Sequence, residues 1–297
     1  QGEVLAEGIR PRDNAYTRSA EDLLDQALSA EGDAEKATLS QQALDAALTG
    51  LNEDPDNPKS YFQAALANIN LKNYFMADSM FTRAETLHPR YVLETESWRE
   101  RAWVDAYNEA IVPLNAGDLE SAVALFEGAN AVYGERYEAF LQLGSVYSRL
   151  GRADDAAEAF MTSKGMLEES RVTAMADTAL APVWEEHWGF AQNGLGQALQ
   201  LSGRFQEAAD HFGQMLEATP DDPALIGSLA SILSELEMTD SVDALYHNLL
   251  NRPGLTEFDF ANAGVGLYRI EEYDRAAQAF QSAADLNPLN RDARLNL

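Results

Sequence analysis

The sequence predicts an all-α chain built from a repeated helix pair, and three observations carry the prediction. Apolar residues recur every three or four positions, the period of a helix face, where a strand would show them every two. The pattern returns at intervals of 34 residues, or of 34 lengthened by an insertion of 11 or 18. Capping residues followed by proline open pairs at matching places, as in Asn57-Pro58 and Asp222-Pro223.

Residues 1–17 (QGEVLAEGIRPRDNAYT) show no helical period and carry Gly2, Gly8 and Pro11. They are expected to form an N-terminal arm, either disordered or extended along another surface. A helix pattern starts at Ser19, and a degenerate first pair near 20–57 has Ala43, Ala47 and Pro55 in place. The pair at 58–91 is marked by Tyr61, Ala64, Ala65, Ala77, Phe81, Ala84 and Pro89, and the insertion 92–102 follows. In 103–136 the second helix is clear (Ala122, Phe126, Ala129), whereas Pro113 is expected to kink the first. The pair at 137–170 carries Phe140, Leu143, Gly144, Tyr147, Ala156 and Phe160, and the second insertion occupies 171–188. Three contiguous pairs then run 189–222, 223–256 and 257–290, and residues 291–297 begin a further helix.

The last pair holds Phe260, Ala263, Gly264, Leu267, Ala276, Phe280, Ala283 and Pro288. That order within 34 residues resembles the tetratricopeptide repeat (TPR), and the resemblance covers about 19–290. It implies a right-handed solenoid of about seven repeats over 18–290, working by binding protein. Small residues let paired helices approach while Phe260, Leu267 and Phe280 fill the space between pairs, so each repeat needs its neighbours.

Composition narrows the partners. With 21 Lys+Arg against 49 Asp+Glu, the formal net charge is −28. Such a surface repels nucleic acid and anionic membranes and attracts cations and basic partners; solubility or saline adaptation would produce the same balance. No cysteine is present, so disulfides, thiolate metal sites and cysteine nucleophiles are excluded. No apolar run approaches the roughly 18 residues of a membrane span. The first residue is Gln1, which suits a processed, exported precursor. A periplasmic or extracellular location is therefore expected, with a cytoplasmic one as the alternative.

No catalytic, cofactor or metal site is expected. The four histidines are dispersed without a His-x-x-x-His pair, and Glu53–Asn57 lacks the ligand pattern of a calcium loop. Gly194-x-Gly196 and Gly264-x-Gly266 fall within first helices and follow no strand, so they do not form a nucleotide loop. Glu185, Glu186 and His187 are adjacent and would diverge around a helix.

The resemblance further implies a concave groove lined by first helices. At the matching positions it would present Phe62, Leu66, Ile69, Asn70, Tyr107, Ile111, Leu114 and Asn115 early in the chain. The middle would present Ser145, Ser148, Arg149, Asn193, Gln197, Gln200, Ser231 and Ser234, and the last repeat Phe258, Val265, Tyr268 and Arg269. Only Asn193 matches the residues with which some relatives clamp a terminal carboxylate, so such a clamp is not expected. An apolar early groove and a hydroxyl- and amide-rich middle suit an extended segment or a helix, unless the early residues pack against the inserted helix.

All four tryptophans adjoin the insertions: Trp98 and Trp103 the first, Trp184 and Trp188 the second. They read either as plugs or as exposed interface anchors. Phe280, Leu295 and Leu297 are expected at an uncapped end. The function expected is a protein-interaction scaffold that self-assembles head-to-tail through that end into a filament or larger assembly. The alternative is a monomeric adaptor that holds a peptide or helix of another protein in its groove.

Overall fold

A computed structural model describes residues 8–220, 222–289 and 291–295. Among them the chain is helical throughout, without a strand. Seven successive pairs are formed by α1 (Ala15–Ser29) with α2 (Asp33–Glu53), α3 (Pro58–Asn70) with α4 (Tyr74–Leu87), α5 (Val92–Ala116) with α6 (Leu119–Val132), α7 (Tyr137–Arg149) with α8 (Ala153–Ala176), α9 (Leu180–Leu201) with α10 (Phe205–Ala218), α11 (Pro223–Glu235) with α12 (Thr239–Leu250), and α13 (Glu257–Arg269) with α14 (Tyr273–Leu286). A short α15 (Arg291–Leu295) follows.

Two compact units emerge. One gathers the described residues up to Leu150 with 162–187, and the other gathers 151–161 with those from Trp188 onward. In the first unit α1 packs on both α2 and α3, and α4 packs on α6. In the second, α11 packs on both α12 and α13. First helices thus lie against first helices, the arrangement that stacks helical repeats.

From the second pair onward, the turn inside each pair keeps the repeat in register. Residues with positive φ stand at Lys72, Gly117, Gly151, Gly203, Glu237 and Glu271, spaced by 34 or by 34 plus the insertion of 11 or 18. Each follows the end of a first helix. After α3 the chain closes in a Schellman pattern, in which Asn73 N–H donates to Asn68 O at 2.8 Å and Lys72 N–H to Ile69 O at 2.9 Å, with equivalents after α5, α9, α11 and α13. Side chains at Lys72, Glu237 and Glu271 therefore carry a left-handed backbone that glycine would adopt without strain.

Glycines inside first helices have a different cause. A Cβ on Gly264 would sit 2.7 Å from the Phe280 ring, and one on Gly194 would sit 2.5 Å from the Phe160 ring. Gly196 meets Phe212 and Gly266 meets the Tyr246 hydroxyl, closer still. Each Gly-x-Gly helix is thus flanked on two sides, by an aromatic residue of its own second helix and by one from the preceding pair. The Gly-x-Gly spacing is a packing device.

Several sequence expectations are corrected. Helix α1 begins at Ala15, so the N-terminal arm 1–17 is shorter than expected and the first repeat starts before 20. The start is fixed by a capping box, in which Asn14 accepts from Thr17 N–H and Thr17 returns the bond. The arm's described residues lie along the chain itself. Ile9 N–H donates to Leu87 O at 2.6 Å, and Arg12 N–H donates to Asn57 Oδ1 at 3.2 Å. Asn57 Nδ2 returns a bond to Arg12 O at 2.9 Å, while the Arg12 guanidinium grips Asp54 at 2.8 and 2.6 Å. Residues 1–7 lie outside the described residues.

Neither insertion forms an element of its own. Residues 92–102 extend α5 at its N-terminal end, and 171–188 extend α8 and α9 on either side of a turn at Asp177. Pro113 sits in the last turn of α5, where its missing N–H costs one bond and the helix runs on to Ala116. Its carbonyl accepts from Asp118 N–H at 2.9 Å.

Candidate functional site

The early groove residues are largely engaged within the first unit. Phe62 is half-buried and stacks on Tyr91 at 5.0 Å between centroids, with Phe81 at 5.8 Å. Tyr107 stacks on Trp103 at 4.9 Å, meets the Phe126 edge at 5.4 Å and bonds to Gln142; burial pushes its phenol pKa up. Ile111 and Leu114 are half-buried beside it on α5. Leu66, Ile69 and Asn70 are left at an opening, a narrow slot they share with Leu24, Leu28 and Trp98.

Two of the tryptophans are plugs. Trp103 is buried under Arg136, whose guanidinium carbon lies 4.1 Å from the ring centroid. Trp184 is buried and its Nε1–H donates to Leu167 O at 2.8 Å. Trp98 and Trp188 are half-buried. Phe280, expected at an outer face, is 2% exposed and fills the interior of its own pair against Gly264. The reason is the Gly264 gap, which admits the ring. Leu295 is exposed, and Leu297 lies outside the described residues.

The hydroxyls and amides of the middle groove are partly spent on their own helices. Ser148 Oγ donates to Gly144 O at 2.8 Å, Ser234 Oγ to Ala230 O at 2.9 Å, and Asn193 Nδ2 to Gly189 O at 2.9 Å. Gln197 is exposed.

A more open surface lies in the second unit. There the first helices α9, α11 and α13 enclose a recess of about 450 Å³. Gln200 enters from α9; Ala224, Gly227, Ser228 and Ser231 line it from α11; Asn262, Val265, Gly266 and Arg269 do so from α13, with Ile270 just beyond. The α11 residues recur at three- and four-residue intervals, so one helix face with no side chain longer than serine forms the floor. No carboxylate is among its described lining residues. Tyr268, also expected in the groove, is exposed on α13 and meets Tyr273 at 5.3 Å.

Sequence comparison bears on these helix pairs directly. The family profile described as "Tetratricopeptide repeat" matches residues 107–162 and 262–297. The chain carries tetratricopeptide repeats. The TPR fold indicates a protein–protein interaction scaffold or adaptor. Among curated proteins, Protein CTR9 homolog of Arabidopsis thaliana is 27% identical over 164 residues, 55% of this chain. The match spans only 14% of that relative.

Among solved structures, YrrB, described as a TPR protein with an unusual peptide-binding site, is 18% identical. It covers 72% of this chain and 96% of its own, at a TM-score of 0.42. The C-terminal part of a TPR repeat-containing protein from Cytophaga hutchinsonii is 14% identical, with coverage of 95% and 99% and a TM-score of 0.45.

Within the TPR frame, the recess is where the sequence expects a groove. Gln200, Ser231, Val265 and Arg269 were read from first-helix positions, and the structure brings them together. Gly227, Ser228 and Asn262 were missed. Gly227 left a signal: it is a helical glycine with no aromatic partner, and a Cβ there would meet nothing within 4 Å. Among the described residues no group of three or more His, Asp or Glu could hold a metal ion, and no helix is long and apolar enough to cross a membrane.

Proposed function

We propose that this TPR chain is a non-catalytic adaptor that holds an extended segment of another protein against the first helices of its second unit. The observation that carries this reading is the recess between α9, α11 and α13, whose floor is kept free of bulk while amides and hydroxyls stand around it. An extended segment presents unpaired backbone N–H and C=O groups, and Gln200 and Asn262 offer donors and acceptors for both. Gly227→Leu tests it. The Cβ of the new side chain meets nothing within 4 Å, so the variant should lose binding of a peptide selected on the full chain while the fold is retained. Unchanged binding would refute the reading.

Head-to-tail self-association is the second reading. Exposed Leu286, Leu289 and Leu295 favour it, with Leu289 90% exposed. Sedimentation should then show concentration-dependent growth that Leu289→Asp suppresses, and a single monomeric species at all concentrations would remove it.

A further inference from the structure

Each insertion lengthens a first helix at its N-terminal end, and the first helix between those two is not lengthened. Helix α7 begins at Tyr137, and both neighbours are tied to that start within the first unit. From α5, Glu100 lies 3.9 Å from the Arg136 guanidinium, which also covers the Trp103 ring. From α9, His187 Nδ1 lies 3.0 Å from the Tyr137 phenol oxygen. Beyond that level α5 runs back from Glu100 to Val92, and α9 from His187 to Leu180. Two walls therefore rise about 10–12 Å above the start of α7, at roughly 1.5 Å per residue. Packed helices stand about 8–10 Å apart, so walls two spacings apart leave a notch one helix wide. The space is open at the α5 side: a recess of about 420 Å³ lies between Val92, Thr95 and Glu96 of α5 and the connection Tyr133–Glu135.

The walls differ in chemistry. On α9, Val183 and Leu180 precede His187 by about one and two turns on the same face, and both are exposed. On α5, Glu96 and Leu93 stand in the same relation to Glu100, with Leu93 70% exposed at the rim. The connection adds Glu135. Tyr133 reports these carboxylates together: burial first, then Glu135, Glu100 and Glu96, push its phenol pKa up. The nearby cations are already held, Arg99 by Asp78, Glu85 and the Val132 carbonyl, and Arg136 by Glu138. One wall of the notch is thus apolar, while the other wall and the base are acidic.

We infer that this notch docks a basic amphipathic helix of a partner protein, with its apolar face on Leu180 and Val183 and its Lys or Arg residues toward Glu96, Glu100 and Glu135. A helix fits the width, being about 10 Å across with its side chains, and it satisfies its own backbone groups. That matters because neither wall offers an amide for an extended chain to bond. A basic partner is drawn in by the net charge of −28, which drives a second copy of the chain away. The site lies outside the recess of the second unit and does not depend on it.

A free helix of about twelve residues is marginal in water, so a library of stapled helical peptides, selected on the full chain and counter-screened on Leu180→Asp, supplies the probe. The expected binders carry Lys or Arg at three- and four-residue spacing opposite an apolar stripe. They should lose roughly tenfold or more in affinity for Leu180→Asp and for Glu96→Lys, and weaken as salt rises. A Lys→Glu version should bind Glu96→Lys better than it binds the unaltered chain, a reversal that a folding defect would not give. Both substituted side chains are exposed, so helix content and urea midpoint should be unchanged. Gly227→Leu should leave these peptides bound, which separates this test from that of the adaptor reading. Binders that are acidic or indifferent to both substitutions, or no binder that distinguishes Leu180→Asp from the unaltered chain, would overturn the inference. Self-association of the peptide-free chain that Leu180→Asp suppresses in sedimentation would place a second copy in the notch and overturn it too.

Discussion

Gly264→Ala and Gly227→Ala make the same chemical change on equivalent helices of the second unit, with opposite expected sign. At Gly264 the new Cβ would lie 2.7–2.9 Å from three Phe280 ring carbons. That ring is 2% exposed and cannot swing aside without displacing α14. Overpacking of this kind costs about 1–3 kcal/mol, and alanine's better helix propensity returns about 1. At Gly227 the Cβ meets nothing within 4 Å, so only the propensity gain remains, about 0.5–1 kcal/mol. The two variants should therefore differ by roughly 2 kcal/mol. Urea unfolding followed by far-ultraviolet circular dichroism measures this, with the midpoint moving down for Gly264→Ala and up for Gly227→Ala at similar slope. Movement of both midpoints in the same direction would refute the distinction between a packing glycine and a recess glycine.

Three further outcomes follow from the same geometry. Glu271→Gly should stabilise the second unit by about 0.5–1 kcal/mol in the same urea assay, because the residue holds φ at 65° after α13. Asn57→Ala should cost about 2 kcal/mol and raise hydrogen exchange at Ile9 and Arg12, since one buried amide caps α3 and ties the arm by two bonds. Alkaline titration should destabilise the fold between about pH 10 and 12. Burial pushes the Tyr74, Tyr91 and Tyr246 phenols up to about 12, so the unfolded chain loses those protons first and stability falls as pH rises through that window. Tyr246→Phe should make that fall shallower.

The helix pairs were legible in the sequence because each is specified locally, by apolar spacing and by caps within a few residues. Asn57 and Asp222 cap α3 and α11 as their positions before proline indicate. The arm was not legible, because Ile9 bonds to a backbone carbonyl at Leu87 and no side chain encodes that partner. Its end was encoded nonetheless, in the Asn14–Thr17 capping box behind the Gly- and Pro-containing run. Groove positions could be counted from the period, but side-chain direction could not. Ser148 and Ser234 fold back onto their own helices, and Phe62 and Tyr107 close into aromatic clusters.

The central claim is that the second unit's first helices form the binding surface. Amide hydrogen exchange of the full chain, with and without a peptide selected on it, tests this most directly. New protection is expected within 223–235 and 257–269 and none within 58–70. Protection confined to 58–116, or to the α14–α15 end, would contradict it.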